Sequence, residues 1–165
     1  MINITLVIED PLPNDAAEIF FVQRQTWHES YLNEISHEEI EKRFTNSPER
    51  IQRIKNIIEG KIDGKFFIAR DKKANKILGF ISLITAPHNE IKSLYLIEAS
   101  QGLGLGRKLM ERALEWYGSQ KIYVHTHSNN IQAFYEKFDF KFTKKLPADD
   151  KFINDEMREL VRDAK

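Results

Sequence analysis

Apolar residues recur with a helical period through the first third of the chain, after an opening strand-like run, and then switch to short continuous or alternating runs. Ile4 to Ile8 reads as a strand. Pro13-Asn14-Asp15 opens a helix whose inward stripe is Ala16, Phe20, Gln23, Trp27 and Tyr31, with one polar interruption. Ser36-His37-Glu38-Glu39 has the capping-box pattern and predicts a short helix carrying Ile40 and Phe44. Ser47-Pro48 starts a third helix, with Pro48 at the first helical position. Ile51, Ile54, Ile57 and Ile58 face inward, and Gly60 ends it.

Beyond Gly60 the period shortens. Phe66-Phe67-Ile68-Ala69 is a buried strand, and the polar turn Asp71-Lys72-Lys73-Ala74-Asn75 leads into a second strand from Ile77 to Thr85. Glu90 to Ile97 is a third strand, followed by a glycine-rich loop and a helix from Leu105 to Tyr117 with Leu109, Met110, Ala113, Leu114 and Tyr117 on its apolar face. A strand from Lys121 to Thr126, a helix from Asn130 to Phe138, and strands over Phe140 to Lys144 and Asp155 to Val161 complete the series. The pattern predicts an α+β fold with a mixed, mostly antiparallel sheet and helices on both faces.

A chain of 165 residues with no repeat and no Pro/Gly/Ser-rich linker reads as one domain over residues 1–165, large enough for a substantial core. Lys plus Arg and Asp plus Glu both total 25, and this balance argues against a nucleic-acid partner or an anionic membrane surface. The absence of cysteine removes disulfides, thiolate metal sites and a cysteine nucleophile. The N-terminus lacks the basic and apolar segments of a secretory signal, and no run reaches membrane-spanning length, so a cytoplasmic location is expected.

Chemistry concentrates in Gln101-Gly102-Leu103-Gly104-Leu105-Gly106-Arg107, between an apolar strand and an amphipathic helix. Glycine lets the backbone approach a ligand closely, and the helix start offers unpaired N–H groups to a pyrophosphate. Two nucleotide motifs fail on spacing. Gly106 is followed by Arg107-Lys108-Leu109 where a P-loop needs Lys and then Ser or Thr, and a dinucleotide fingerprint meets Arg107 or Leu109 at its last glycine position.

The strand Glu90-Ile91-Lys92-Ser93-Leu94-Tyr95-Leu96 followed by this loop resembles the signature of the GNAT N-acetyltransferases, Gln/Arg-x-x-Gly-x-Gly/Ala ahead of a helix. Downstream, Ala133-Phe134-Tyr135-Glu136-Lys137-Phe138-Asp139-Phe140 is similar to the family's second marker, a helix ending in Phe-Tyr-Glu-Lys-x-Gly-Phe. The likeness is close over roughly residues 64–142 and loose over the rest. Two departures stand out: Ile97-Glu98-Ala99 replaces the proline many relatives carry after the strand, and Asp139 replaces the glycine of Gly-Phe.

The resemblance implies the acyl-CoA N-acyltransferase fold, acetyl-CoA as co-substrate, no metal, and a small-molecule amine as acceptor, polyamine-like or other, in a monomer or homodimer. It implies that the backbones of Leu94 and Leu96 pair with the pantetheine arm, and that the Leu96 N–H polarises the thioester carbonyl. Gln101, Gly102, Leu103, Gly104, Leu105, Gly106 and Arg107 would surround the pyrophosphate. Asn130 would contact the pantetheine arm, with Ser128 and Asn129 competing for that place. Tyr135 is the candidate acid, or hydrogen-bond donor, for the leaving thiolate, and Glu90 the candidate base. Trp27 and Tyr31, in a Trp-x-x-x-Tyr segment, would shape the acceptor site. Glu29 and Glu34 are solvated charges or attractors for a cationic amine. His125 and His127 share one face of their strand and border the acceptor cleft; two histidines without further ligands make metal a minority reading. Spacing gives His28, His37 and His88 no partner. The alternatives are a CoA-binding regulatory module without turnover and a peptide or protein N-terminal acetyltransferase.

Overall fold

A computed structural model describes residues 5–31, 33–127, 129–147 and 157–165, the side chains of 129 and 130 excepted. The N-terminal elements are β1 (Leu6–Glu9), a 3-10 turn (Pro13–Asp15), α1 (Ala16–Tyr31), α2 (His37–Arg43) and α3 (Ser47–Ile58). They are followed by β2 (Lys65–Asp71), β3 (Lys76–Ile84), β4 (Glu90–Leu96), a second 3-10 turn (Glu98–Ser100) and α4 (Leu105–Tyr117). The chain then forms β5 (Ile122–Thr126), α5 (Asn129–Glu136), β6 (Lys141–Leu146) and β7 (Met157–Arg162). Ile4 and Asp155, placed in the first and last strands from sequence, lie outside the described residues.

The strands form one sheet in the order β1-β2-β3-β4-β5-β7-β6. β4 and β5 are its parallel pair, joined through α4, because parallel neighbours need a long crossover. All other neighbours are antiparallel. β2 and β3 are buried on both faces, so helices must cover both sides. The register identifies which helix covers which. Ile68, Phe80 and Tyr95 lie across from one another, and Tyr95 accepts a hydrogen bond from Trp27 of α1. Phe67, Ile81 and Leu94 occupy the opposite face, where Arg112 of α4 lies over the Phe67 ring. Phe20, Phe67, Phe80 and Phe140 are fully buried, each stabilising the fold by about 1.5–3 kcal/mol.

Local chemistry explains the element ends. Ser36 caps α2 by accepting from the Glu39 N–H. α3 starts from Asn46 in the left-handed region, so Pro48 is its second residue instead of its first. α5 begins at Asn129 and closes at Glu136, short of Phe138, because the chain tightens and Asp139 turns to φ +68°. Phe140 is thereby turned into the core and β6 begins one residue later. The inward side of α1 is wider than a single stripe. Ile19, Val22 and Thr26 are buried and Gln23 is half-exposed, since α1 packs against both the sheet and α3.

Candidate active site

β4 runs beside β5 for only two residue pairs, Glu90 with Tyr123 and Ile91 with Val124. The separation starts at a bulge. Ser82 faces Ser93 and Leu83 faces Ile91, which leaves Lys92 as the extra residue on β4 and bends the strand away from its parallel neighbour. Beyond the bulge β4 stays bound to β3. Gly79 allows this contact, because a Cβ there would lie 2.4 Å from both the Tyr95 carbonyl and the Leu96 side chain. The Ile97 N–H donates to the Leu78 carbonyl at 2.9 Å. Backbone groups alternate along a strand, so those of Tyr95 also face β3, and those of Leu94 and Leu96 face the gap. The Gln101 side chain donates to the Leu96 carbonyl at 3.3 Å.

The gap is a cleft of about 200 Å³ lined in part by Glu90, Leu94, Tyr95, His125 and Tyr135, with Tyr31 at one wall. Tyr135 is buried, with Phe134 and Phe140 rings 5.4 and 5.6 Å away. Burial first, and the Tyr95 phenol second, push its pKa well above the usual phenol value. Glu90 is buried beneath the Lys92 ammonium, with Nζ at 2.9 Å, and the His88 ring, with Nε2 at 3.3 Å. The Tyr117 hydroxyl ties the end of α4 to the carbonyls of Ile84 and Glu90, at 2.7 and 2.8 Å, and so fixes the start of β4. Among the described residues, His125 Nε2, Thr126 Oγ1 and His127 Nδ1 are buried without a hydrogen-bond partner. All three residues line the cleft, and His125 Nε2 lies 3.7 Å from Glu159 Oε2.

At the far end of β4 the glycine loop reaches the start of α4. Gly102 and Gly104 have φ of +81° and +78°, values that L side chains adopt only with strain. Gly104 caps the helix, and the first helical hydrogen bond runs from Lys108 N–H to its carbonyl. The amides of Leu105, Gly106 and Arg107 therefore precede any intrahelical acceptor. Gly106 differs from Gly102 and Gly104: a Cβ there would stand in ordinary contact, 3.4 Å from Leu96 and 3.9 Å from Phe134, so the helix start packs against both. The Gln101 amide is already bonded to Glu98, the Leu105 side chain is in the core, and Leu103 is exposed. Arg107 is exposed in an i,i+4 pair with Glu111 at 2.8 Å, a contact worth only a fraction of a kcal/mol and readily exchanged for an anion.

The structure separates the two aromatic residues assigned to the acceptor site. Tyr31 lines the cleft, whereas Trp27 stands behind it, donating from Nε1 to the Tyr95 hydroxyl at 3.2 Å with Arg43 4.5 Å over its ring. The Trp27 and Tyr31 rings remain 4.5 Å apart, so they act as one packed unit. Sequence reasoning missed Tyr95 and Lys92. Strand alternation placed Tyr95 on the α1 face and would have flagged it; the bulge that frees Lys92 has no local signal. The Asn130 side chain lies outside the described residues, as does Ser128.

Each histidine without a partner by spacing gains one in the fold. His28 Nε2 contacts Glu41 Oε1 at 2.8 Å, His37 lies 3.9 Å from the same oxygen, and His88 packs on Tyr123 beside Glu90. The nitrogens of His28 and His37 and a Glu41 oxygen lie within 4.8 Å of one another, but Arg24 also donates to Glu41, at 3.1 Å. Glu29 accepts from the Glu98 N–H at 2.9 Å, which makes it a cap for the second 3-10 turn.

Residues 63–142 match the family model described as an acetyltransferase (GNAT) domain. Solved structures align over nearly the whole chain. A PaiA N-acetyltransferase from Thermoplasma acidophilum in complex with coenzyme A superposes with a TM-score of 0.73 at 22% identity, covering 98% of this chain and 100% of its own. A structure from Corynebacterium glutamicum described as histone acetyltransferase HPA2 and related acetyltransferase gives 0.74 at 16%, covering 98% of each chain. A spermidine N-acetyltransferase from Vibrio cholerae gives 0.66 at 18%, covering 96% of this chain and 94% of its own. No curated protein matches in sequence. At these identities the solved structures establish the shared fold.

Proposed function

Because the chain belongs to the GNAT acetyltransferase family, we propose that it transfers the acetyl group of acetyl-CoA to a primary amine by direct attack in a ternary complex. The observation that carries this reading is the opening of β4 from β5 after two residue pairs, directly before a glycine loop whose helix-start amides are unpaired.

The residues divide the work along β4. Leu94 and Leu96 offer backbone groups to the amides of the pantetheine arm as an added strand would, and the amides at the start of α4 hold the pyrophosphate. The Leu96 N–H, aimed at the gap, polarises the thioester carbonyl. Glu90 receives the ammonium proton through water and passes it to His88, whose half-exposed ring returns it to solvent. The amine then attacks the thioester carbon, the C–S bond breaks with its electron pair leaving on sulfur, and the second proton shed by the new amide nitrogen passes through water to solvent. Tyr135 donates a hydrogen bond to that thiolate and keeps its own proton, since its raised pKa makes full transfer unfavourable.

The reading is tested by following thiol release from acetyl-CoA with a panel of polyamines, amino acids, aminoglycosides and peptides. Acceptor-dependent release is expected. Binding of CoA with no release from any acceptor would replace the transferase by a CoA-binding regulatory module, and release with peptides alone would make it an N-terminal acetyltransferase of proteins.

A further inference from the structure

A second cavity of about 610 Å³ lies between α1, α3 and the starts of β2 and β4. Its walls include apolar Phe20, Ile54, Phe66 and Leu83, with three cations, Arg50, Arg53 and Lys92. Lys92, the extra residue at the bulge of β4, lines both this cavity and the open cleft, so the two spaces are neighbours.

The charge balance of this second space is one-sided. Asp63, the carboxylate in its lining, accepts from the Thr85 hydroxyl at 2.6 Å and from the Thr85 and Ala86 amides at 3.0 and 3.1 Å. Arg50 has no ion-pair partner among the described residues. Its guanidinium lies 5.3 Å from the Phe20 ring centre and 4.8 Å from that of Phe44, and it donates to the Arg43 carbonyl. Arg53 is exposed and likewise has no ion-pair partner among the described residues. In the cleft itself the carboxylate is Glu90, bracketed by Lys92 and His88. A polycation entering this path meets three cations against the single carboxylate of the lining, Asp63, whereas an anion meets two arginines with no ion-pair partner among the described residues.

We propose that this cavity is the subsite for a carboxylate of the acceptor, so that the acceptor is a primary amine on an apolar body that also bears a carboxylate. The amine enters the cleft beside Glu90, the apolar body lies along Phe20, Ile54 and Phe66, and Arg53 and Arg50 hold the carboxylate. A planar, weakly hydrated guanidinium over aromatic rings suits a planar monoanion better than a strongly hydrated dianion. The proposal rests on the transfer reading above.

Matched acceptors test it: leucine against isopentylamine, phenylalanine against phenethylamine, and both acids against putrescine and spermidine. CoA release gives kcat/KM for each, and calorimetry on the CoA-loaded protein gives binding of the same compounds. The carboxylate-bearing member of each pair is expected to bind more tightly and to show a kcat/KM about tenfold or more above its partner. Arg53→Gln is expected to lower that ratio by about tenfold. A preference for the diamines, equal binding within the pairs, or an equal loss for acids and amines in Arg53→Gln overturns the subsite. No release from any acceptor overturns the transfer reading instead, and the binding comparison then still decides the subsite.

Discussion

Single atoms set in apolar surroundings determine what the cleft can do. The Tyr135 ring packs on Phe134 and Phe140, so removing its hydroxyl leaves good packing behind. Tyr135→Phe is expected to change stability by less than about 1 kcal/mol and to lower kcat on the order of 10²-fold, with acetyl-CoA affinity retained. Stopped-flow turnover beside thermal unfolding checks both halves; an unchanged kcat removes Tyr135 from the chemistry. Gly79→Ala behaves in the opposite way. Its Cβ would collide with backbone at Tyr95, so a loss of about 2 kcal/mol or more is expected in denaturant unfolding. The roles of these residues were unequally visible in the sequence. Tyr135 and Glu90 stood out through motif likeness, and the fold brings both to one cleft. Gly79 carried no such mark, because its need arises from a neighbouring strand, and Lys92 became a cleft residue only through a bulge.

Elements were legible where their ends are written locally. α4 runs from Leu105 to Tyr117 as its pattern predicts, because Gly104 and Gly118 bound it with positive φ on both sides. α5 and β6 shifted by one or two residues because their boundary depends on Asp139 turning left-handed, a choice settled by packing Phe140. The loop ahead of α4 yields its own test. Gly104→Ala forces a side chain into φ +78°, costing about 1–2 kcal/mol at the helix cap, and should raise the Kd for CoA several-fold by misaiming the first amides. Isothermal titration and a melting curve separate the two effects, and unaltered affinity would deny those amides a ligand. On the other side of the sheet, buried Arg70 joins β2 to Glu9 of β1 at 2.7 Å and to Asp15 of the 3-10 turn at 2.8 Å. Arg70→Met leaves Asp15 without its cation, while Glu9 keeps Lys72 at 2.8 Å, and should cost about 1–3 kcal/mol in urea unfolding, more than loss of an exposed pair such as Arg107 with Glu111.

For the molecule as a whole, strand order and the meeting of distant segments were beyond the reach of local pattern. The mixed, mostly antiparallel sheet could be read, but the insertion of β7 between β5 and β6 could not, since pairing is a long-range choice. The cations of the second cavity come from α3 and β4, whose sequences share no motif. Asp63 joins the segment after α3 to the end of β3, and its hydrogen bonds, led by the Thr85 hydroxyl, hold its pKa below the ordinary 3.8. The unfolded chain thus takes up this proton first as pH falls. The stabilisation is fully present above about pH 4 and disappears as pH drops through the lower folded value. Asp63→Asn should therefore be less stable than the parent near neutrality and lose less of its stability between about pH 5 and pH 2. Parallel acid-limb slopes for the two proteins would contradict that linkage.

The two-pair seam between β4 and β5 also sets how fast individual amides trade their protons with water. Along one strand, Tyr95 and Ile97 are locked to β3 while Leu94 and Leu96 point into open space, so deuterium uptake should alternate fast and slow from one residue to the next. Coenzyme A added to the protein should quench the fast pair alone, leaving a strand of uniformly slow exchange where a comb had been.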